Sequence, residues 1–187
     1  MKETLHEYLR TARSALVWKL SGLSEYDVRR PLVPTGTNLL GLVKHSTCAE
    51  LGYFGLVFGR PIDQPNPWFD DAEENADLFA RAEETREGIV AGYRQACAAA
   101  DATIAALELD SPGMVPWWGD ESVTLHQVLV HVTTETARHA GHADIVRELI
   151  DGAVGYATSF SNVPEHDAAW WRTYRDRVER EAQRARG

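Results

Sequence analysis

The chain has 187 residues, 44% of them hydrophobic and 25% charged, which is typical of one globular domain with its own core. Its formal net charge of −9 argues against a nucleic-acid or anionic-membrane binder, because phosphate-bearing surfaces attract basic patches. Two cysteines, a charged N-terminal stretch in place of a signal peptide and no apolar run of membrane-spanning length together predict a soluble, cytoplasmic protein.

Helical periodicity dominates the chain, and no stretch alternates apolar and polar residues as a strand would. The first predicted helix covers residues 4–23, where leucines and alanines recur as one stripe. The second covers residues 38–58, with Asn38 as its N-cap and "GRP" as its stop. The stretch "GRPIDQPNPWFDD" contains three prolines and is predicted to be a long connection.

Three more helices are predicted in the second half of the chain. The third covers residues 76–107 and ends at "DSPG", and the fourth covers residues 124–150 and is closed by "DG". A charged C-terminal helix begins near Pro164. Four long helices and a C-terminal one predict an all-α bundle in a single domain of residues 1–187. The long connection would let the second and third helices run parallel.

The segment "HVTTETARHAGH" places three histidines and a glutamate on one face of the fourth helix. On a helical wheel of about 100° per residue, these four candidate ligands fall within an arc of about 80°. They are His131, Glu135, His139 and His142, whereas His126 lies on the opposite side. Val146 and Leu149 share the arc, so this face is predicted to point into the core, with Arg147 on the solvent side.

Burying a carboxylate beside imidazoles is costly unless something pairs with it, and a divalent cation meets that need. The alternative is that Glu135 pairs with a neighbouring arginine and that the histidines are ordinary core residues. A metal held by Glu135 and His139 would need a third ligand from another helix. His45 is the best candidate, because small residues beside it would let another helix approach closely, whereas His6 and His166 are predicted at the surface.

Two segments carry a resemblance to a known family. "LLGLVKHSTCAELGYF", followed far downstream by "WWGDESVTLHQVLVHVTTETARHAGHADIVREL", resembles the DinB/YfiT-like superfamily. Within it, the chain looks most like the mycothiol transferase branch, formerly a domain of unknown function, as far as "RELIDG". The resemblance implies a DinB-like four-helix bundle with up-down-down-up topology, here with an additional C-terminal helix. It also implies a divalent metal held by His45, Glu135 and His139.

The chain departs from the family pattern at two positions. Many relatives have histidine where this chain has Glu135, and their following "HRGQ" reads "HAGH" here, which places His142 at the usual glutamine position. The His/Glu/His set resembles that of mycothiol-dependent maleylpyruvate isomerase. His142 would therefore either assist the metal or form a hydrogen bond nearby, and His131 is an alternative to Glu135 as a ligand.

The expected activity is a metal-dependent thiol S-transferase that acts in detoxification. A metal with open positions holds a coordinating thiol as thiolate, and the resemblance implies mycothiol as the co-substrate that attacks an electrophilic small molecule. Zinc is the expected cation, with nickel as an alternative. Glu135, His131 and His142 are the candidate catalytic residues, the two histidines as outer-shell bases on the same helix face.

Trp117, Trp118 and Arg138 are the candidate binding residues for the co-substrates. The two tryptophans immediately precede the metal helix, so they are predicted either to cover the metal, together with Trp68 of the long connection, or to plug the end of the bundle. Arg138 lies beside the ligand face and would either contact an anionic substrate group or form a plain ion pair.

Cys48 lies one turn from His45 and is predicted to be a small core residue rather than a nucleophile. Trp170 and Trp171 are predicted to anchor the last helix onto the bundle or to contribute to a dimer face, and a homodimer is a further expectation. Two other functions stay open. One is a metal hydrolase or resistance protein that uses metal-bound hydroxide, and the other is a non-catalytic, metal-stabilised binding protein.

Overall fold

The computed structural model describes residues 1–186, which form seven α-helices and one antiparallel hairpin. The helices are α1 (Lys2–Trp18), α2 (Glu25–Arg29), α3 (Leu39–Glu50), α4 (Pro67–Asp70), α5 (Arg86–Ala106), α6 (Leu125–Asp151) and α7 (Ala168–Arg184). The hairpin pairs β1 (Pro112–Val115) with β2 (Glu121–Thr124). The predicted helical class is confirmed, and within residues 1–186 no helix is both long and apolar enough to cross a membrane.

The four longest helices other than α7 share the hydrophobic core. Helix α1 packs along α6, α3 packs along α5, and α3 also contacts α6. One cluster of buried side chains includes Leu9 of α1, Ile104 of α5 and Leu129 of α6. A second cluster includes Val43 of α3 and Val146 of α6. Because α3 and α6 meet in this core, polar residues at the edge of their contact are brought together.

The predicted caps of α3 and α6 are confirmed. The Asn38 side chain accepts a hydrogen bond from the Gly41 backbone N–H at 2.8 Å, which satisfies a donor that the first turn leaves free. Helix α6 begins with a reciprocal cap between Thr124 and Gln127 and ends at Gly152, whose φ of 78° is left-handed. These local signals determine where α3 begins and where α6 begins and ends.

Three of the four predicted bundle helices are shorter in the structure. The first ends at Trp18, because the chain turns at residues 19–22. The second is α-helical only to Glu50 and continues as a π-helical turn (Leu51–Gly55) and a 3₁₀ turn (Leu56–Phe58). The third begins at Arg86, because residues 76–85 form turns in the long connection. Tertiary contacts hold these turns on α3, since the Asn38 side chain donates a hydrogen bond to the Leu78 carbonyl at 3.0 Å.

The hairpin between α5 and α6 was not predicted. Its strands are only four residues long, too short for a visible alternation of apolar and polar residues. Tertiary contact holds it in place: a Cβ at Gly113 would lie 2.7 Å from Val57 Cγ1, so β1 packs closely on the 3₁₀ turn after α3. The loop between the strands contains Trp117 and Trp118.

The C-terminal region does not pack as predicted. Helix α7 begins at Ala168 rather than near Pro164, and in residues 168–186 every side chain except that of Trp171 is exposed. The prediction that Trp170 and Trp171 anchor this helix onto the bundle is therefore wrong. The segment before α7 is attached to α1 instead, since Trp18 Nε1 donates a hydrogen bond to Thr158 Oγ1 at 3.2 Å.

Candidate metal centre

Helices α3 and α6 bring His45, Glu135 and His139 together. Glu135 and His139 lie one turn apart on α6, and His45 faces them from α3. His45 Nε2 is 3.1 Å from Glu135 Oε1, and His139 Nε2 is 3.7 Å from the same oxygen. One potential ligand atom of each residue lies within 4.8 Å of the others. The three side chains therefore converge on one point between the two helices.

The three side chains lie at the edge of the core and not in its centre. The side chains of His45, Glu135 and His139 are 13%, 21% and 17% exposed, whereas Val132 and Ala143 of α6 are fully buried. The prediction that the ligand face coincides with the core face is thus wrong by about a quarter of a helical turn. This offset leaves the cluster partly open to solvent on one side.

The opposite face of α6 also differs from the prediction. Leu149 is 62% exposed, and Arg147 is buried. The guanidinium of Arg147 pairs with Asp151 at 2.7 Å and donates hydrogen bonds to the backbone carbonyls of Lys19 and Ser21 at 2.8 Å. An arginine can be buried when its donors are satisfied in this way, which a helical wheel does not reveal.

Glu135 pairs only with imidazoles. His131, His139 and His45 all lie within 4 Å of its carboxylate, and no arginine or lysine of residues 1–186 forms an ion pair with it. The alternative prediction, that Glu135 pairs with a neighbouring arginine, is therefore wrong. Burial raises the pKa of Glu135, but hydrogen bonds from His139 and His45 outweigh burial and lower the pKa to about 2. The carboxylate is a permanent negative charge without a permanent positive partner.

The donor set fits a divalent cation. Two ligand atoms that each lie about 2.0–2.1 Å from one tetrahedral metal are about 3.4 Å apart, close to the two separations from Glu135 Oε1. Imidazole nitrogen and carboxylate oxygen are both ligands that zinc accepts, and three protein ligands leave a position open for substrate. His45, Glu135 and His139 would hold the metal.

Asp77 supports His45 and was missed by the sequence analysis. His45 Nδ1 donates to Asp77 Oδ2 at 2.6 Å, which orients the ring so that Nε2 faces Glu135. Metal-binding histidines almost always donate their second ring N–H to such a partner. Asp77 reaches the site because a Cβ at Gly41 would overlap the Leu78 carbonyl, so only glycine lets the connection approach α3. No sequence motif marks this contact.

Aromatic side chains form a wall along one side of the cluster. The Trp68 ring lies edge-on to His45 at 5.2 Å, and Trp117 packs on Tyr53 at 5.1 Å and donates to its hydroxyl at 3.2 Å. Trp118 lies 4.8 Å from the His131 ring and is 37% exposed. The predicted tryptophans therefore lie along this one side of the cluster. Tyr53, which lies in the π-helical turn, was missed because that turn breaks the helical periodicity.

The other predicted site residues differ in how closely they approach the three candidate ligands. His131 Nε2 lies 3.5 Å from Glu135 Oε2, and the His131 ring packs on Tyr53 at 4.7 Å. His142 is exposed, and its ring lies 5.5 Å from that of His139. Arg138 is exposed and forms no ion pair with residues 1–186. His131 touches the cluster and His142 lies beside His139, whereas Arg138 is exposed to solvent.

The remaining cysteine and histidine predictions have mixed outcomes. Cys48 is fully buried, and burial raises its pKa to about 12, so its prediction as a core residue is confirmed. His166 is exposed and stacks on Trp170, as a surface residue would. His6 is not a surface residue, because its side chain is 13% exposed and pairs with Asp101 at 2.6 Å.

Comparison with known proteins assigns the chain to a family by its sequence and shows a solved structure with a similar fold. Residues 4–152 match the family model described as mycothiol-S-transferase. A solved structure of a conserved protein from Enterococcus faecalis superposes with a TM-score of 0.60 at 16% identity, covering 81% of this chain and 98% of that chain. At this identity the likeness concerns the fold alone. No curated protein matches the chain.

Proposed function

The chain belongs to the mycothiol-S-transferase family, and on this premise we propose that it is a metal-dependent thiol S-transferase. His45, Glu135 and His139 hold one divalent cation. The observation that carries this is the half-buried carboxylate of Glu135, which faces three imidazoles and pairs with no arginine or lysine of residues 1–186. A divalent cation offsets the buried charge, and when bound it holds a thiol as thiolate.

The thiol is mycothiol, as the family description suggests, and its sulfur attacks an electrophilic small molecule. A carbon–sulfur bond forms, and the bond to the leaving group breaks with its electron pair. The thiol proton passes to a nearby base. His131 is the nearest candidate, because it lies beside Glu135 and next to the partly exposed Trp118. His142, beside His139, is the second candidate base. Glu135 takes part as the carboxylate ligand of the cation.

The rim of the site binds the two co-substrates. Trp117 and Trp118 offer flat apolar faces to a sugar ring of the thiol or to an apolar electrophile. Arg138 is exposed without an ion pair in residues 1–186, so it is free to contact an anionic group of a substrate. Asp77 holds His45 in the orientation that the metal requires.

Zinc is the proposed cation, with nickel as the alternative, because both accept imidazole and carboxylate ligands. The proposed fold is a DinB-like four-helix bundle with up-down-down-up topology, made by α1, α3, α5 and α6 in a single domain of residues 1–187. The core that these helices share supports it. Detoxification of electrophiles in the cytoplasm is the proposed role.

A thiol-by-electrophile assay tests the function. Protein reconstituted with zinc should transfer mycothiol to a chloronitrobenzene, and removal of either zinc or thiol should abolish turnover. In cobalt-substituted protein, mycothiol should add a sulfur-to-metal charge-transfer band. Glu135→Ala should lose both signals, whereas His126→Ala, an exposed position on the same helix, should keep them.

Three outcomes would contradict the proposal. Metal-dependent hydrolysis of an ester or amide without any thiol would indicate the hydrolase. Bound metal without turnover of any electrophile, and without a spectral response to thiol, would indicate a binding protein. Transfer that persists in metal-free protein would remove the metal from the reaction.

A further inference from the structure

Helix α7 has an apolar face that the rest of the chain does not cover. Trp170, Trp171, Tyr174 and Val178 recur at helical spacing and fall within an arc of about 100°. Trp170, Tyr174 and Val178 are 40%, 47% and 51% exposed. An isolated helix of this length is marginal in water, so its stability depends on packing. We refer to these four residues as the α7 stripe.

The charge of α7 is opposite to that of the remaining chain. Residues 168–187 contain six arginines and three carboxylates, a net charge of +3. Since the whole chain carries −9, residues 1–167 carry −12. Arg175 and Arg177 flank the α7 stripe on its two sides, and Arg177 forms no ion pair within residues 1–186. The helix is therefore suited to an acidic surface that also has an apolar centre.

The outer face of α6 has an exposed apolar centre with one free carboxylate beside it. Ile145 and Leu149 lie one turn apart and are 59% and 62% exposed, which is unusual for two large aliphatic side chains on the same face. Glu148 is exposed beside them and forms no ion pair within residues 1–186. Gly141 adds a position where a partner helix could approach closely, because its Cβ position meets only open space. We refer to these four residues as the α6 outer patch.

Within one copy, α7 does not cover the large aliphatic side chains of the α6 outer patch. After α6 ends, the linker is held on the C-terminal end of α1. Lys19, which is fully buried, donates from Nζ to the Gly155 carbonyl, and Trp18 donates to Thr158. Three of the four side chains of the α7 stripe, and both aliphatic side chains of the α6 outer patch, are exposed within one copy.

We propose that α7 of one copy packs on the α6 outer patch of a second copy, and that the exchange is reciprocal. The two-fold arrangement covers the α7 stripe and the α6 outer patch of both copies at once. Arginines beside the stripe meet Glu148 beside the patch, so apolar contact and charge pairing act together. The matched family range ends at residue 152, so this arm is an addition to the family fold.

An anionic membrane is the competing partner, because amphipathic helices with arginine and tryptophan also bind lipid surfaces. A second copy is favoured for two reasons. The polar face of α7 carries Asp176 and Glu179 among its arginines, and the −12 charge of residues 1–167 would be repelled by anionic lipid.

Sedimentation equilibrium of the full chain tests the proposal. The intact protein should be a dimer. Tyr174→Glu and Leu149→Glu should each raise the dimer dissociation constant by about thirtyfold or more, the effect of losing a central contact. Thr173→Glu, on the polar face of α7, and Tyr26→Glu, a more exposed aromatic on α2, should remain dimeric. Circular dichroism confirms that all four variants fold.

Mixing the two disruptive variants identifies which surfaces meet. The Leu149→Glu copy has an intact α7, and the Tyr174→Glu copy has an intact α6 outer patch. A mixture should therefore form a heterodimer through one of the two contacts, although neither variant dimerises alone. Pairing of α7 with α7, or of α6 with α6, would not give this result.

Three results would overturn the proposal. The first is a monomeric intact chain at its highest soluble concentration. The second is a dimer that survives either Tyr174→Glu or Leu149→Glu. The third is co-sedimentation of the intact chain with phosphatidylglycerol vesicles that Tyr174→Glu abolishes, which would assign the α7 stripe to a membrane. None of these measurements depends on the metal or on the transferase activity.

Discussion

Two clusters of buried, charged side chains each include a residue of α3, and they differ in which groups pair with the buried carboxylate. One centres on Glu50, which is fully buried, and the other centres on Glu135. Arg13 closes the first cluster, because Nε and Nη2 donate to the two carboxylate oxygens of Glu50 at 2.7 and 2.6 Å. The second cluster has imidazoles where the first has a guanidinium.

Each cluster also contains a histidine that is hydrogen-bonded to an aspartate. His6 pairs with Asp101 and His45 pairs with Asp77, both at 2.6 Å. Arg13 reaches Asp101 as well, at 2.6 Å, so every carboxylate of the first cluster has a permanent cation. Arginine stays charged, whereas imidazole can release its proton and bind a metal. The first cluster is therefore suited to stabilising the fold, and the second to binding an exchangeable cation. We refer to the first, around Glu50, as the closed cluster and to the second, around Glu135, as the open cluster.

The largest expected effect is on the closed cluster. Arg13→Met should lower the free energy of unfolding by about 3–5 kcal/mol, because it leaves the buried Glu50 carboxylate without a partner. Arg13→Met combined with Glu50→Met should recover most of that loss, since an apolar pair of similar volume often replaces a buried ion pair. Urea unfolding measures both. A loss below about 1 kcal/mol in the single variant would show that Glu50 does not depend on Arg13.

Metal removal should affect only the open cluster. At a hundredfold excess over its dissociation constant, a bound metal adds about 2.7 kcal/mol of stability, so a chelator should lower the melting temperature by a measurable amount. His45→Ala, Glu135→Ala and His139→Ala should each reduce bound metal in elemental analysis and lose the chelator response. His126→Ala is the matched control on α6. Full occupancy in His45→Ala would remove that residue from the site.

The two aspartates should differ in their effect on the metal. Asp77→Asn should weaken metal binding about ten- to hundredfold, because it removes the carboxylate that orients His45. Asp101→Asn changes the corresponding pair of the closed cluster and should leave metal affinity unchanged. Calorimetric titration with zinc compares them. Equal losses in both variants would mean that general destabilisation, and not orientation of the ligand, causes the effect.

The effect that develops most gradually is the pH dependence of the open cluster. In metal-free protein, burial lowers the pKa of His45, but hydrogen bonds to Asp77 and Glu135 outweigh it and raise the pKa to about 9. A pKa raised on folding adds stability that is complete below the unfolded value of about 6.5 and is lost as the pH rises through 9. The melting temperature of the metal-free protein should therefore fall over this range.

Metal affinity should change in the opposite direction. It should rise about tenfold per pH unit between 6.5 and 9, because the cation must displace the proton that His45 holds. Calorimetric titration at several pH values measures this slope. A flat profile would indicate that the proton and the cation do not compete for the same ring. Glu135 stays ionised throughout, since its pKa is about 2.

The sequence by itself determined the features that depend on neighbours along one helix. The caps at Asn38 and Gly152 and the one-turn spacing of Glu135 and His139 follow from hydrogen bonds and periodicity within a few residues. His45 was selected by its small neighbours and by resemblance to a family, and the structure places it beside the other two. Local backbone geometry is enough for such inferences.

Only the tertiary structure decided which distant groups meet. Asp77 lies 32 residues from His45, and Arg13 lies 37 residues from Glu50. Such pairs depend on how helices cross and where a connection closes, which no local spacing encodes. The burial of Arg147 and the exposure of the α7 stripe have the same origin. Whether a side chain is covered depends on what the rest of the fold places next to it.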